Sequence, residues 1–224
     1  MVGGRRRWPV DNPVESEAAG CFDGSVTDSP GVPPGTPSPV SWPRAVGGLV
    51  LRPPTAADVD PILAWRNRPE VTRWLLRTNV DADDLRARLL GPLDPDDHSF
   101  VALLGGERVA MGYLEVKDGM GQDRGSGHRK AEALLGWNVS PEHWGRGYGA
   151  TIAAELLVIA FRELRVHRVT AGCFADNVGS WRVMEKVGMR REQHGVEDSW
   201  HAELGWVDGY TYAMLRSEWL DQSC

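Results

Sequence analysis

The chain of 224 residues can hold one domain with a tail or two small domains, and its 42% apolar content is sufficient for a buried core. A formal net charge of −6 argues against a general nucleic-acid-binding protein, and no apolar run reaches the roughly 18 residues that a membrane-spanning helix requires. The cysteines, at positions 21, 173 and 224, cannot all pair, and neither they nor the histidines match a metal-binding spacing. We therefore expect a cytoplasmic protein without a metal.

The first segment, residues 1–46, is poor in aliphatic residues and contains a proline-rich stretch at 29–44. Proline lacks a backbone N–H and opposes both helices and sheet ladders. The composition predicts a disordered, dispensable leader over 1–46 and a folded domain over 47–224.

Hydrophobic periodicity and turn residues divide the folded domain into alternating elements. Thr55 and Asp58 form a predicted capping box at the first helix, and Gly136 predicts a bulge or a close backbone approach within its strand. The predicted elements are a strand at 48–55, helices from Thr55 and over 80–91, a hairpin of strands at 98–104 and 108–116, a strand at 131–140, a helix at 149–163, a strand at 167–174, a helix at 177–188 and a strand at 209–215. This order predicts a mixed α/β fold, with helices on both faces of the sheet.

The segment WGRGYG at 144–149 places three glycines where a predicted helix begins. It lacks the Lys-Ser/Thr ending of a Walker loop. Its glycines follow the spacing GxGxG and not the GxGxxG of a dinucleotide-binding fingerprint. Glycines at a helix start allow a ligand to approach the main chain, and the unpaired N–H groups there favour an anion. The segment therefore predicts a phosphate-binding site of another kind.

A second motif lies thirty residues further on, where Asn177, Ser180, Val183, Lys186 and Gly188 follow the pattern N-x-x-S-x-x-V-x-x-K-x-G. Together with WGRGYG, it resembles the GNAT superfamily of acyl-CoA N-acyltransferases, and within it the branch of the ribosomal-protein N-terminal acetyltransferases RimJ and RimL. The resemblance extends over roughly residues 48–220. It implies the acyl-CoA N-acyltransferase fold, a mostly antiparallel sheet that splays at a bulge.

The resemblance also implies acetyl-CoA as co-substrate, with its pyrophosphate on the main chain of residues 145–150 and its pantetheine arm along the splayed strand. Arg146 lies near the phosphates or in solvent, and Trp144 is a packing anchor for the loop more than a ligand. The residues implied in cofactor binding are Trp137, Asn138, Val139, Trp144, Gly145, Arg146, Gly147, Tyr148, Gly149, Ala150, Asn177, Ser180 and Lys186.

For catalysis, the resemblance implies Ser180 as the proton donor to the leaving thiolate, because Met184 stands where many family members have a tyrosine. A first-turn serine that only satisfies local backbone is the alternative. The general base stays open between Glu132 and Glu115. Strand alternation keeps Glu132 on the face of Leu134, where the branch often has a glutamate, but moves it about 7 Å along the strand.

The resulting hypothesis is an acetyl-CoA-dependent N-acetyltransferase that acts on a protein N-terminus or a related primary amine. A small-molecule acceptor, such as an aminoglycoside or a polyamine, and an acyl-CoA-binding protein without turnover are the alternatives. We expect a monomer or a homodimer and no nucleic-acid or membrane partner.

Overall fold

The computed structural model describes residues 40–91 and 94–222, which contain an eight-stranded sheet in the order β1-β2-β3-β4-β5-β6-β8-β7. The strands are β1 Arg44–Val46, β2 Leu49–Arg52, β3 Phe100–Leu104, β4 Glu107–Lys117, β5 Glu132–Val139, β6 Arg168–Phe174, β7 Arg190–His201 and β8 Gly205–Leu215. The helices are α1 Val59–Arg66, α2 Pro69–Thr72, α3 Ala82–Leu90, α4 Tyr148–Val158, α5 Val178–Lys186 and α6 Arg216–Gln222.

All neighbouring strands pair antiparallel except β5 and β6, which are parallel. The predicted fold, a mostly antiparallel mixed sheet with helices, is therefore confirmed. The bulge predicted at Gly136 is not present in the pairing of β4 with β5, because the register runs unshifted from Glu132 to Val139 with Gly136 opposite Tyr113.

The two faces of the sheet carry separate hydrophobic clusters. On one face, α4 packs through Ile152 and Leu156 onto side chains that include Leu114 and Leu135. On the other face, α1 and α3 pack against Val101, Met111 and the partly buried Tyr113. Side chains alternate along each strand. The side chains of Tyr113 and Glu115 on β4 therefore point to the α1–α3 face, together with those of Leu134 and Asn138 on β5.

The start of α1 is fixed by Asp58, a fully buried carboxylate. It accepts hydrogen bonds from the Thr55 backbone N–H at 2.7 Å, as the capping box predicted, and from Arg52 on β2 and Arg108 on β4. Burial alone would raise the pKa of Asp58, but the hydrogen bonds from Arg52, Arg108 and Thr55 together outweigh it and hold the pKa well below its usual range. This network ties α1 to the sheet.

The predicted leader boundary at residue 46 is wrong, because residues 40–46 belong to the fold. β1 pairs with β2, and Trp42 packs against Phe100 with a ring separation of 5.5 Å. Arg44 forms ion pairs with Glu155 of α4 and Glu163. Tertiary contacts therefore hold a segment whose proline content opposed regular structure. The remainder of the predicted leader, residues 1–39, lies outside the described residues.

The glycine-rich segment leads into α4 as predicted, and the helical region ends at Glu163, as the predicted range 149–163 has it, although its last turn is not α-helical. The α-helical hydrogen bonds end at Val158, and a π-helical turn follows over Ile159–Glu163. The helix that was predicted over 177–188 is α5, whose N-cap is Asn177.

Candidate active site

A cleft of about 1400 Å³ opens where β5 and β6 separate. The two strands pair only from Glu132 to Leu134 of β5, whereas β6 continues alongside β8 to Phe174. Beyond Leu134, the edge of β5 that faces β6 has no strand partner among the described residues. Free N–H and C=O groups along such an edge can bind an extended, amide-containing ligand as an added strand would.

The glycine-rich segment lies at one side of this cleft. Gly147 is the N-cap of α4 with φ +84°, and Gly145 has φ +72°. A Cβ built at either position would meet no atom within 4 Å, so the space above the backbone is open. The Thr151 N–H donates to the Gly147 carbonyl at 3.1 Å. The N–H groups before it in the first turn have no helical partner and are available to an anion.

Trp144 anchors this segment to the end of β5. Its indole Nε1–H donates to the Val139 carbonyl at 2.7 Å, while about half of the residue remains exposed. Below it, the buried His143 ring shares a 2.7 Å hydrogen bond between its Nδ1 and the Ser140 hydroxyl. The predicted role of Trp144 as an anchor agrees with this contact, whereas sequence reasoning missed the pair of Ser140 and His143.

Ser180 lies in the first turn of α5 and faces the cleft. The helix cap is made by Asn177, whose side-chain oxygen accepts the Ser180 backbone N–H at 3.2 Å. The Ser180 hydroxyl lies near the Cys173 thiol on β6. Burial has the larger effect on the pKa of that thiol and raises it to about 11, whereas the nearby hydroxyl lowers it. Within the described residues the hydroxyl makes no bond to the backbone, so Ser180 is free to serve a ligand. Met184 is buried in the core.

The two candidate bases occupy different places. Glu115 is exposed, lies opposite Leu134 and lines the cleft. Glu132 lies opposite Lys117 and Arg168 at the far end of β5, with its carboxylate 3.9 Å from Arg168 Nε, and does not line the cleft. The shift of Glu132 along the strand therefore removes it from the site, and the geometry favours Glu115.

The structure brings the predicted cofactor-binding residues together, with one exception. Arg146 is exposed and lies outside the cleft lining. The predicted residues that line the cleft are Trp137, Asn138, Val139, Trp144, Gly145, Gly147, Tyr148, Gly149, Ala150, Asn177, Ser180 and Lys186.

Tyr113 is a cleft residue that sequence reasoning missed. Its hydroxyl accepts a hydrogen bond from the Asn138 side-chain amide at 3.0 Å, and burial raises the pKa of this hydroxyl. Its only signal in the sequence was its position two residues before Glu115 on a predicted strand.

In residues 40–91 and 94–222, no group of three or more His, Cys, Asp or Glu side chains is arranged to hold a metal ion. No helix in this part of the chain is long and apolar enough to cross a membrane.

Comparison with known proteins identifies the family of this sequence. The family model described as an acetyltransferase (GNAT) domain matches residues 48–190. The uncharacterized N-acetyltransferase YnaD of Bacillus subtilis (strain 168) is 38% identical over 85 residues, which are 38% of this chain and 49% of YnaD. The matched part thus spans about half the length of that relative.

Two solved structures share the fold at low identity. The ribosomal-protein-S5-alanine acetyltransferase from Vibrio fischeri superposes with a TM-score of 0.66 at 14% identity, over 80% of this chain and 99% of that chain. The spermidine N-acetyltransferase from Vibrio cholerae, solved with CoA and spermine, has a TM-score of 0.64 at 20% identity, over 77% and 98%.

Both solved structures have the same fold as this chain, although one protein is named for a protein acceptor and the other for a polyamine. Because the family model covers more than half of the sequence, the family is established independently of either acceptor. This chain belongs to the GNAT acetyltransferase family.

Proposed function

We propose that this protein transfers the acetyl group of acetyl-CoA to a primary amine, at a protein N-terminus or on a related acceptor. The observation that carries the proposal is the open glycine backbone at Gly145 and Gly147, which faces the cleft containing the free edge of β5 and Ser180. A pyrophosphate fits the first feature, and an amide-rich pantetheine arm fits the second.

In this proposal each side chain has one task. Acetyl-CoA supplies the thioester, and the N–H groups of residues 145–150 hold its pyrophosphate. Glu115 accepts a proton from the amine as the new N–C bond forms. The Ser180 hydroxyl gives a proton to the sulfur as the C–S bond breaks, directly or through a water, and then takes up a proton from solvent while Glu115 releases its proton to solvent.

The decisive experiment measures release of free CoA thiol by the full chain with three groups of acceptors. Turnover with peptides supports the proposed protein N-terminal acceptor. Turnover confined to aminoglycosides or polyamines supports a small-molecule enzyme, since the fold accommodates both classes. Binding of acetyl-CoA without turnover on any amine contradicts the proposal and favours an acyl-CoA-binding protein.

The base assignment is tested by Glu115→Gln, with Glu132→Gln as the matched control on the neighbouring strand. An α-amine with a pKa near ~8 is only about one-tenth neutral at pH 7, so removal of the base should lower turnover roughly tenfold there. The loss should shrink at pH 9, where the amine is mostly neutral without help. Glu132→Gln should retain its turnover at both pH values. Equal losses in the two variants, or a loss independent of pH, would refute the assignment.

The affiliation with the RimJ and RimL branch, the cytoplasmic location, and the monomeric or dimeric state stay predictions from the sequence. Sedimentation of the full chain would measure the last of them.

A further inference from the structure

Two residues with a formal charge, Asp58 and Arg66, are buried among the described residues, and only Asp58 has partners of opposite charge. Asp58 is neutralised by Arg52 and Arg108. Arg66, at the end of α1, is only 5% exposed and has no carboxylate partner in the described chain. Its guanidinium donates to two neutral oxygens, the Asn67 side-chain carbonyl at 3.2 Å and the Arg77 backbone carbonyl at 2.6 Å. A buried charge without a counter-charge is costly, which points to a partner outside the chain.

Two further arginines increase the positive charge at this place. Arg77, in the loop after α2, and Arg88, on α3, both line the cleft with Arg66 and form no ion pair within the described residues. The Arg88 guanidinium lies 4.8 Å from the centre of the Tyr113 ring. Burial lowers the pKa of Arg66, and the charges of Arg88 and Arg77 act in the same direction. These three residues are called the arginine cluster below.

Within the described residues, none of the acidic side chains that line the cleft forms an ion pair with the arginine cluster. Glu70 is bound by Arg68, and the Asp97 carboxylate accepts hydrogen bonds from the backbone and hydroxyl of Ser99. Asp198 accepts a hydrogen bond from the Ser199 hydroxyl.

Glu115 lies on the same face of β4 as Tyr113, about 7 Å along the strand. The cleft thus places a cationic site beside the carboxylate that would receive the amine.

Resting on the proposed acetyl transfer, we propose that the acceptor amine also carries a carboxylate and that the arginine cluster binds it. The carboxylate is either an acidic side chain at a peptide N-terminus or the free carboxylate of an amino acid. Planar guanidinium groups bind carboxylates through paired, charge-assisted hydrogen bonds. The same positive charge repels polycationic acceptors such as spermidine and the aminoglycosides.

The test compares acceptors that differ in a single carboxylate, using the full chain and release of CoA thiol, with KM expressed per neutral amine because the carboxylate also raises the pKa of the alanine amine. One arm compares the peptides Glu-Ala-Ala-amide and Gln-Ala-Ala-amide, and the other compares alanine with alaninamide. If the acceptor is a peptide with an acidic first residue, the peptide arm should show a KM at least tenfold lower for the acid than for its amide. If the acceptor is a free amino acid, the alanine arm should show that difference. A charge-assisted hydrogen bond contributes about 1.5–3 kcal/mol, which corresponds to roughly 10- to 150-fold.

Variants then assign the effect to the arginine cluster. Arg77→Gln and Arg88→Gln should each raise the KM of the preferred acid about tenfold and change the KM of its amide less than about twofold, with kcat unchanged. Arg86→Gln is the matched control, because Arg86 lies on the same helix as Arg88, pairs with Asp83 and does not line the cleft. It should alter neither KM.

Equal KM values for acid and amide in both arms, or a lower KM for spermidine, would overturn this inference and leave acetyl transfer intact. Failure of every amine to be acetylated would refute the proposed function. In that case, calorimetry of Glu-Ala-Ala-amide and alanine against the CoA-loaded chain tests the anion site by itself. Binding of one of them that is lost in Arg77→Gln supports the site, and absence of binding refutes it.

Discussion

Replacement of Ser180 by alanine is expected to lower turnover by a factor of about 100 to 10,000, the range over which general acid catalysis contributes. The affinity for acetyl-CoA should change little, because the hydroxyl is proposed to act on the departing sulfur. Steady-state turnover with a competent acceptor and calorimetry of acetyl-CoA binding measure the two quantities separately.

In α5, the Ser180 hydroxyl can be removed without disturbing the N-terminal cap of the helix. The cap of the helix is the bond from the Ser180 backbone N–H to Asn177, and it does not involve the hydroxyl. Ser180→Ala should therefore keep its melting temperature, whereas Asn177→Ala should cost about 1 kcal/mol of stability. Cys173→Ala, which removes the thiol neighbour of the hydroxyl, should retain most of the turnover. If Ser180→Ala also retains it, another group or bulk water protonates the thiolate and the assignment is wrong.

A valine at Gly147 is expected to weaken acetyl-CoA binding about 100-fold, or roughly 2.7 kcal/mol. Gly147 has φ +84°, which a β-branched residue adopts only under strain. Its Cβ would enter the open space in front of the α4 N-terminus, where the pyrophosphate is proposed to bind. Calorimetry of the folded variant with acetyl-CoA measures the effect.

Gly125→Val separates loss of the site from backbone strain. Gly125 also has φ +84° with no atom within 4 Å of a built Cβ, but it lies in the loop between β4 and β5 and does not line the cleft. It should have a similar cost in stability and bind acetyl-CoA normally. Unchanged affinity of a folded Gly147→Val variant would show that the cofactor does not approach this backbone.

Features that depend on neighbouring residues were predictable from the sequence. Backbone requirements act within a few residues, so glycine spacing at 144–149 predicted the helix start and its open N-terminus. The capping box of Thr55 and Asp58 and the cap at Asn177 follow the same logic. Hydrophobic periodicity identified most strands and helices, and with the motif at 177–188 it predicted the family fold that the family model confirms.

Register and long-range packing were decided by the tertiary structure. Periodicity tells which face of a strand a side chain occupies, but not what lies opposite it. Only the pairing of Glu115 with Leu134 placed that carboxylate in the cleft, while the same pairing left Glu132 beside Lys117. Residues 40–46 joined the sheet because contacts with distant residues outweigh the local effect of proline, as between Trp42 and Phe100.

The sequence by itself determined that a helix begins at an unobstructed glycine backbone and that a second helix presents a serine behind an asparagine cap. The tertiary structure decided what surrounds them. Arg66, Arg77 and Arg88 come from a helix, a loop and another helix, and no local pattern predicts that Arg66 binds the Arg77 carbonyl while Arg88 lies over the Tyr113 ring. The part of the cleft proposed to bind the acceptor is built from segments that are distant in sequence. Their contacts depend on how α1 and α3 pack onto the sheet, which no local pattern specifies.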